Sequence, residues 1–188
     1  MATTSDIRKG LCIRYNHDIY KIIEFLHVKP GKGPAFVRTK LKSVTTGKVV
    51  ENTFPAGHKI DEVRVESHKY QFLYEDGEFF HFMHTDDYTQ IRLTENSLDQ
   101  PKLLKEGEVV TVLINTEDDS PVSVEMPPNV TLEVTQTEPG VKGNTATNAT
   151  KPATLQTGAQ VNVPLFINEG DLVKVDTDNG SYKERVKE

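Results

Sequence analysis

The stretch FLHVKPGKGPAFVRTKLKSV, residues 25–44, joins two strand-like runs through a break rich in proline and glycine. Along the second run, small or apolar residues alternate with basic ones. The first set is Val37, Thr39 and Leu41, and the second set is Arg38, Lys40 and Lys42. Because successive side chains of a strand point to opposite faces, this alternation predicts a strand with one packed face and one basic stripe.

The break between the two runs places a single lysine at the tip of a stiffened turn. Pro30 and Pro34 restrict φ on both sides, while Gly31 and Gly33 can take the positive φ of a tight reversal. With three residues per arm at about 3.3 Å each, the turn reaches roughly 10 Å, and Lys32 extends it further. This pattern favours a cationic probe for a narrow anionic space, although an isolated turn of this kind is equally compatible with a solvated lysine.

The composition predicts an all-β protein. The 188 residues include 12 Gly and 10 Pro but no Trp, which is typical of many short strands and turns. Strand-like segments of similar length recur throughout the chain, and the tandem prolines at 127 and 128 suit a module boundary. We therefore expect three small β modules, covering residues 1–64, 65–128 and 129–188.

Charge is unevenly distributed among these three modules. Their net charges are +6, −10 and −2, which together give the −6 of the whole chain. This asymmetry indicates that the first module faces a polyanion and that the middle module does not.

Aromatic residues cluster on either side of an Asp-Gly pair in the middle module. They are Tyr70, Phe72, Tyr74, Phe80 and Phe82. Aromatic rings of this kind stack bases in single-strand binders, but the acidic surroundings repel phosphates, so we expect the cluster to form a core. Asp76 and Gly77 favour a two-residue hairpin turn, in which both positions need positive φ.

The sequence lacks a complete phosphate-binding loop, histidine metal site or calcium loop. The Gly-Lys segments lack the Ser or Thr of a phosphate-binding loop, and His81 and His84 lie three apart on a predicted strand, facing opposite sides. The run beginning at Asp176 departs from a calcium loop because Gly180 comes one residue early, so it favours a hairpin turn. We expect no catalytic residues, no metal and no cofactor.

The single cysteine and the short apolar runs indicate the cellular location that we expect. Cys12 lies between apolar neighbours and is predicted to be a buried strand residue. The longest apolar run is far shorter than a membrane span, and the amino terminus lacks the apolar core of a signal peptide. We expect a soluble cytoplasmic protein without a membrane partner.

Several long segments together resemble bacterial translation elongation factor P. They are FLHVKPGKGPAFVRTKLKSVTTGKVVENTF, LYEDGEFFHFM, PGVKGNTATNATKPATLQTGAQVNVPLFINEGDLVKVDT and GSYKERV, in matching order and spacing. The resemblance implies an SH3-like (KOW-like) barrel followed by two OB-fold barrels, arranged in an L like tRNA. It also implies a non-enzymatic factor that binds the ribosome, through rRNA and ribosomal proteins, beside the peptidyl tRNA. There it promotes peptide-bond formation at consecutive prolines.

The resemblance assigns roles to individual positions. Lys32 would hold the CCA end of the peptidyl tRNA, supported by a loop made of Lys29, Pro30, Gly31, Gly33 and Pro34. RNA contacts would come from Arg38, Lys40, Lys42, Tyr182 and Arg185. Gly143, Asn144 and Thr145 fall where relatives contact the exit-site codon, with Asn here replacing the usual Asp.

In many relatives the lysine at the position of Lys32 is modified, so the resemblance also offers a lysine-modifying enzyme as a partner, whereas the symmetric PGKGP form also occurs with an unmodified lysine. We expect Lys32 to work with little or no dependence on modification, in a monomeric protein. Two alternatives stay open: an elongation-factor-P-like paralogue with another ribosomal role, and a ribosome-independent OB-fold protein that binds RNA.

Overall fold

The structure is a computed structural model that describes residues 1–140 and 149–187. The described residues divide into two compact units. The first comprises Met1–His68, Leu93–Ser97 and Val112–Val124, and the second comprises Lys69–Arg92, Leu98–Thr111 and the described residues from Glu125 onward. The described part of the chain contains no helix long and apolar enough to cross a membrane. The division into three modules at residues 64 and 128 stays a prediction.

Six strands form within the first 60 residues, as an antiparallel four-stranded sheet and a separate strand pair. They are β1 (Ala2–Thr3), β2 (Cys12–Tyr15), β3 (Asp18–Val28), β4 (Phe36–Ser43), β5 (Val49–Pro55) and β6 (Lys59–Ile60). The sheet order is β2-β3-β4-β5, and β1 pairs with β6. A short 3-10 helix, Thr4–Asp6, follows β1.

The alternation predicted for the second run of the opening stretch is confirmed in β4. Val37, Thr39 and Leu41 are buried, whereas Arg38 is exposed. The hydroxyl of Thr39 donates to the backbone carbonyl of Asn52 at 2.8 Å, so this buried polar group is satisfied. The inward side chains pack into a core with residues of the amino-terminal segment and of β2, β3 and β5, which holds the β3–β4 hairpin in place.

Cys12 also lies where the sequence predicts. It begins β2 and is buried at 2 % exposure, against Val63 and Val122.

The middle of the chain forms a five-stranded sheet. Its strands are β7 (Val65–Glu75), β8 (Phe80–His84), β9 (Gln90–Leu93), β10 (Val109–Asn115) and β11 (Pro121–Glu125), in the order β11-β10-β7-β8-β9. Short 3-10 helices at Glu95–Ser97 and Pro101–Leu103 lie between β9 and β10. Four of the five clustered aromatics are buried, as predicted: Tyr70, Phe72, Phe80 and Phe82. The fifth, Tyr74, is exposed and stacks on the ring of His81.

The predicted two-residue turn at the Asp-Gly pair is wrong. The loop between β7 and β8 has four residues, 76–79, and of the Asp-Gly pair only Gly77 has a positive φ. The reason is the side chain of Asp76, whose Oδ1 accepts from the backbone N–H groups of Glu78 and Phe79. This carboxylate binds two N–H groups that a tighter turn would have bonded to backbone carbonyls, while the N–H of Asp76 still donates to the carbonyl of Phe79 at 3.1 Å.

The carboxyl-terminal part of the described chain forms a second five-stranded sheet. Its strands are β12 (Asn129–Thr137), β13 (Thr150–Leu155), β14 (Gln160–Pro164), β15 (Leu172–Asp176) and β16 (Tyr182–Val186), in the order β14-β13-β12-β15-β16. The two edge strands, β14 and β16, lie against each other, so the sheet curls into a barrel around a core of aliphatic side chains. The segment after Asp176 forms the predicted hairpin turn, with a positive φ at Gly180.

Candidate nucleic-acid interface

The KPGKGP segment lies in the loop between β3 and β4, residues 29–35. Every residue from Lys29 to Pro34 is exposed, so Lys32 projects into solvent as predicted. Gly33 has φ of +104°, a conformation that only glycine adopts without strain. Gly31 does not have a positive φ, so the expectation that both glycines take this conformation is wrong for Gly31. One residue with positive φ reverses the chain here, and the two prolines restrict φ on either side of it.

A long hairpin supports this loop. Strands β3 and β4 are paired from Tyr20 and Ser43 to Val28 and Phe36, directly before the loop. One bulge, between Ile22 and Glu24, interrupts the register. The loop therefore projects from a continuous sheet rather than from a long flexible connection.

The base of the loop is bonded to the segment after β5, and that segment is bonded in turn to the amino-terminal segment. The N–H of Ala56 donates to the carbonyl of Ala35 at 2.9 Å, and the N–H of Gly57 donates to Oγ1 of Thr4 at 2.7 Å. A cavity of about 390 Å³ opens at this base. It is lined by Thr4, Ser5, His27, Val28, Lys29, Ala35, Phe36, Val37, Ala56 and Gly57.

The basic stripe of β4 lies on the outer face of the hairpin, but its three cations are not equivalent. Nζ of Lys40 lies 2.8 Å from Oε2 of Glu24, the residue opposite it on β3. Glu51 lies opposite Lys40 on β5. The hydrogen bond and charge of Glu24 raise the pKa of Lys40, and this carboxylate would compete with an RNA phosphate for the lysine.

The other two basic residues of the stripe have different surroundings. Arg38 is exposed, with its guanidinium carbon 6.0 Å from the ring centroid of Phe36. Lys42 is partly buried and lies opposite Lys21, another cation, in the register of β3 and β4. Arg38 is therefore the best placed of the three to contact a phosphate. The difference arises because Lys40 and Lys42 lie opposite charged residues of β3.

Tyr182 and Arg185 are brought to the same face of β16 by a bulge. Residues three apart in a regular strand face opposite sides, but the register shifts here between Lys174 and Val175. As a result Tyr182 lies opposite Val175 and Arg185 lies opposite Val173. Both valines are fully buried, and cross-strand partners share a face.

Tyr182 and Arg185 differ in exposure. Tyr182 packs partly against the core of the barrel, and this burial raises the pKa of its hydroxyl. Arg185 is exposed at the rim, where its Nη1 lies 3.7 Å from Oδ2 of Asp171.

One neighbour of this pair was missed in the sequence. Phe166, two residues after β14, is 58 % exposed and has the guanidinium of Arg185 5.6 Å from its ring centroid. It lies in the apolar run VPLFI, where a core position is the ordinary expectation, so no signal in the sequence distinguished it. Gly143, Asn144 and Thr145 lie outside the described residues, and their contact with a codon stays a prediction.

Three family models match consecutive parts of the chain. They are the elongation factor P KOW-like domain over residues 3–60, the elongation factor P OB domain over residues 65–124, and the elongation factor P carboxyl-terminal domain over residues 130–185. The fold is therefore an all-β arrangement with a KOW-like amino-terminal domain and OB domains, the class of a modular translation factor.

Relatives with curated names agree over the whole chain. Elongation factor P of Christiangramia forsetii is 80 % identical over 188 residues, covering 100 % of both chains. Elongation factor P of Flavobacterium johnsoniae is 72 % identical with the same coverage. Among solved structures, eukaryotic translation initiation factor 5A from Methanococcus jannaschii aligns with a TM-score of 0.47 and 19 % identity, over 65 % of this chain and 92 % of that chain. The chain belongs to the elongation factor P family, and membership of a translation-factor family implies association with the ribosome.

Proposed function

We propose that the protein binds the ribosome beside the peptidyl tRNA and promotes peptide-bond formation where consecutive prolines stall synthesis. The observation that carries this proposal is Lys32, exposed at the tip of a loop that continues a paired β3–β4 hairpin. A lysine on such a support extends a positive charge away from the body of its sheet. The proposed target of that charge is the CCA end of the peptidyl tRNA.

The proposed contribution is positional. The proline ring restricts the backbone approach needed for peptide-bond formation, and its nitrogen is a secondary amine. Holding two reactants in a productive geometry contributes several kcal/mol, up to about 7–11 in well-oriented cases, without any chemistry by the helper. Lys32 would therefore act as a non-enzymatic aid to the peptidyl-transferase centre.

The remaining contacts would anchor the factor. Arg38, exposed on the outer face of β4, is proposed to meet an RNA phosphate, with smaller contributions from Lys40 and Lys42. Tyr182 and Arg185, which share one face of β16, are proposed to approach the peptidyl tRNA. The partners would be rRNA, ribosomal proteins and tRNA, in the cytoplasm, with the factor acting as a monomer.

We further propose that Lys32 needs no chemical adduct. Pro30 and Pro34 limit the conformations of the unbound loop, so less ordering is required on docking than in a loop with one proline. A lysine-modifying enzyme would then be dispensable. An intact mass of the native protein showing a stoichiometric adduct, lost together with activity in a modification-deficient host, would contradict this proposal.

The test of the proposed function is reconstituted translation of a three-proline reporter with recombinant, unmodified protein. We expect the wild type to relieve the stall and Lys32→Ala to fail. Lys48→Ala is the matched control, because Lys48 is an exposed lysine in the turn at the opposite end of β4. Equal activity of Lys32→Ala and wild type would overturn the proposed role of the loop.

A ribosome-independent RNA-binding function is less well supported. The aromatics that would stack bases in the middle module are mostly buried, with Phe72 at 4 % and Phe82 at 0 % exposure. A buried ring has no face to offer a base. Preferential binding to naked RNA over ribosomes would nevertheless favour that function.

A further inference from the structure

We propose that Phe166 is a stacking residue that binds an unpaired RNA base at the rim of the carboxyl-terminal barrel, together with Arg185 and Tyr182. This inference rests on the proposed function, because it assumes that the RNA of the ribosome complex is the ligand. It adds a residue to which neither the family models nor the names of the relatives give a role.

The first observation is the position of the ring. Phe166 is 58 % exposed, whereas the neighbouring Val163 and Ile167 are completely buried in the barrel core. Single exposed apolar residues are common on protein surfaces, so exposure alone does not indicate a site. Here, however, the exposed ring is joined by a cation.

The second observation is that this cation has neighbours in the segment that carries the ring. The guanidinium carbon of Arg185 lies 5.6 Å from the ring centroid of Phe166, within the range of a cation–π interaction. Oδ2 of Asp171 lies 3.7 Å from Nη1 of Arg185 and also accepts from the N–H of Asn168 at 2.8 Å. The side-chain amide of Asn168 in turn donates to the carbonyl of Phe166 at 3.3 Å. The carboxylate of Asp171 therefore contacts both Arg185 and the backbone of the segment that carries Phe166.

The third observation comes from the barrel topology. Phe166 follows β14 and Arg185 lies on β16, and these two edge strands meet where the sheet closes. The bulge in β16 places Tyr182 on the same face as Arg185. The approach of the two edge strands therefore brings an exposed aromatic ring from the turn after β14 beside a cation and a phenol on β16.

This combination matches the chemistry of an unpaired nucleotide. A base stacks on an aromatic face irrespective of its sequence identity, and a guanidinium offers both a flat surface and donors to the attached phosphate. A contact of this kind reads no sequence, which suits a factor that meets many different tRNAs or one fixed nucleotide of rRNA. A phosphate site alone would leave the ring unused.

The experiment measures the affinity of variants for ribosomes carrying a peptidyl tRNA, over a range of salt concentrations. We expect Phe166→Ala and Phe166→Leu to weaken binding about fivefold or more, since stacking of one base is worth at least about that factor. Phe166→Tyr, which keeps the ring, should stay within about twofold of wild type. Tyr88→Ala removes another exposed aromatic of the second unit, 68 % exposed, and should leave the affinity unchanged.

The salt dependence separates a stacking contact from a general loss of structure. Removing Phe166 should lower the affinity by the same factor at every salt concentration, because no phosphate contact is lost. Arg185→Ala should instead reduce the slope of log affinity against log salt, by at most roughly 0.7–0.9 because Asp171 lies 3.7 Å from its guanidinium. A benzoylphenylalanine photocrosslinker at position 166 should join to tRNA or rRNA.

Three results would overturn the inference. Wild-type affinity of Phe166→Ala and Phe166→Leu would remove the stacking contact, and crosslinks from position 166 solely to ribosomal protein would assign the ring to a protein partner. Failure of the wild type itself to bind these ribosomes would overturn the proposed function and this inference with it. In the first two cases wild-type binding and relief of the stall persist, so the two kinds of failure are distinguishable.

Discussion

The ion pair between Lys40 and Glu24 predicts an unequal contribution of the basic stripe to ribosome binding. Each cation that neutralises a phosphate contributes roughly 0.7–0.9 to the slope of log affinity against log salt. A fourfold rise in salt then costs about threefold in affinity per contact. Nζ of Lys40 lies 2.8 Å from Glu24, with Glu51 opposite on β5, whereas Arg38 is exposed. We therefore expect Arg38→Ala to remove close to one full contact and Lys40→Ala much less.

Replacing the carboxylate provides the complementary perturbation. Glu24→Gln removes the partner that holds Lys40, so Lys40 becomes available for phosphate and the slope steepens by up to about 0.8. The folded state should tolerate both Lys40→Ala and Glu24→Gln, because an exposed ion pair contributes only about 0–1 kcal/mol to stability.

The assay is co-sedimentation with ribosomes at salt concentrations from about 50 to about 200 mM, the range over which this effect is large. Magnesium is held constant, and thermal unfolding of each variant confirms that it is folded. If Lys40→Ala flattens the salt dependence as much as Arg38→Ala, and Glu24→Gln changes nothing, the cross-strand pairing does not control the stripe.

Three further predictions concern the loop, the barrel and the β7–β8 turn. Gly33→Ala should impair relief of three-proline stalling because alanine at φ +104° is strained by about 1–2 kcal/mol, whereas Gly31→Ala should be nearly neutral; equal reporter activity would contradict this. Gly140→Ala should lower the thermal midpoint, at a cost of about 1–3 kcal/mol, because its Cβ would lie 2.5 Å from the carbonyl oxygen of Leu165; an unchanged midpoint would argue against this packing. The hydrogen bond from His81, together with two backbone N–H groups, lowers the pKa of Asp76 from 3.8 to about 2, so its stabilising effect is complete above about pH 4 and is lost as the pH falls through about 2. The difference in thermal midpoint between wild type and Asp76→Asn should therefore shrink as the pH falls from about 4 to about 2. A constant difference would contradict the lowered pKa of Asp76.

The alternation of residues in β4 shows what the sequence is able to predict. A period of two is a local property, so the buried and exposed faces of this strand follow from residue order alone. The burial of Cys12 and of most of the middle aromatics follows for the same reason, because apolar side chains in strand-like runs pack inward.

The sequence could not predict features that depend on strand register, or on a side chain that competes with the backbone for hydrogen bonds. The pairing of Lys40 with Glu24 requires the register of β3 and β4, which a bulge shifts by one residue. The shared face of Tyr182 and Arg185 depends on a second bulge. The turn after Glu75 widened because one carboxylate captured two backbone N–H groups, a local competition that the Asp-Gly signal alone does not show.

Phe166 illustrates the same limit at the candidate site. Val163 and Ile167 of the same apolar run are buried, and only the approach of β14 and β16 brings Phe166 beside Arg185. Sequence separation of the two residues conceals that contact.

The most direct test of the central claim is the single-turnover rate of bond formation between two prolines on the ribosome, measured with unmodified wild type and with Lys32→Ala. The claim predicts that the wild type accelerates this step about tenfold or more, equivalent to about 1.4 kcal/mol of the barrier. It also predicts that Lys32→Ala loses this acceleration while it still binds, and that bonds between two alanines are unaffected by either protein. Equal proline–proline rates with wild type and Lys32→Ala would contradict the account.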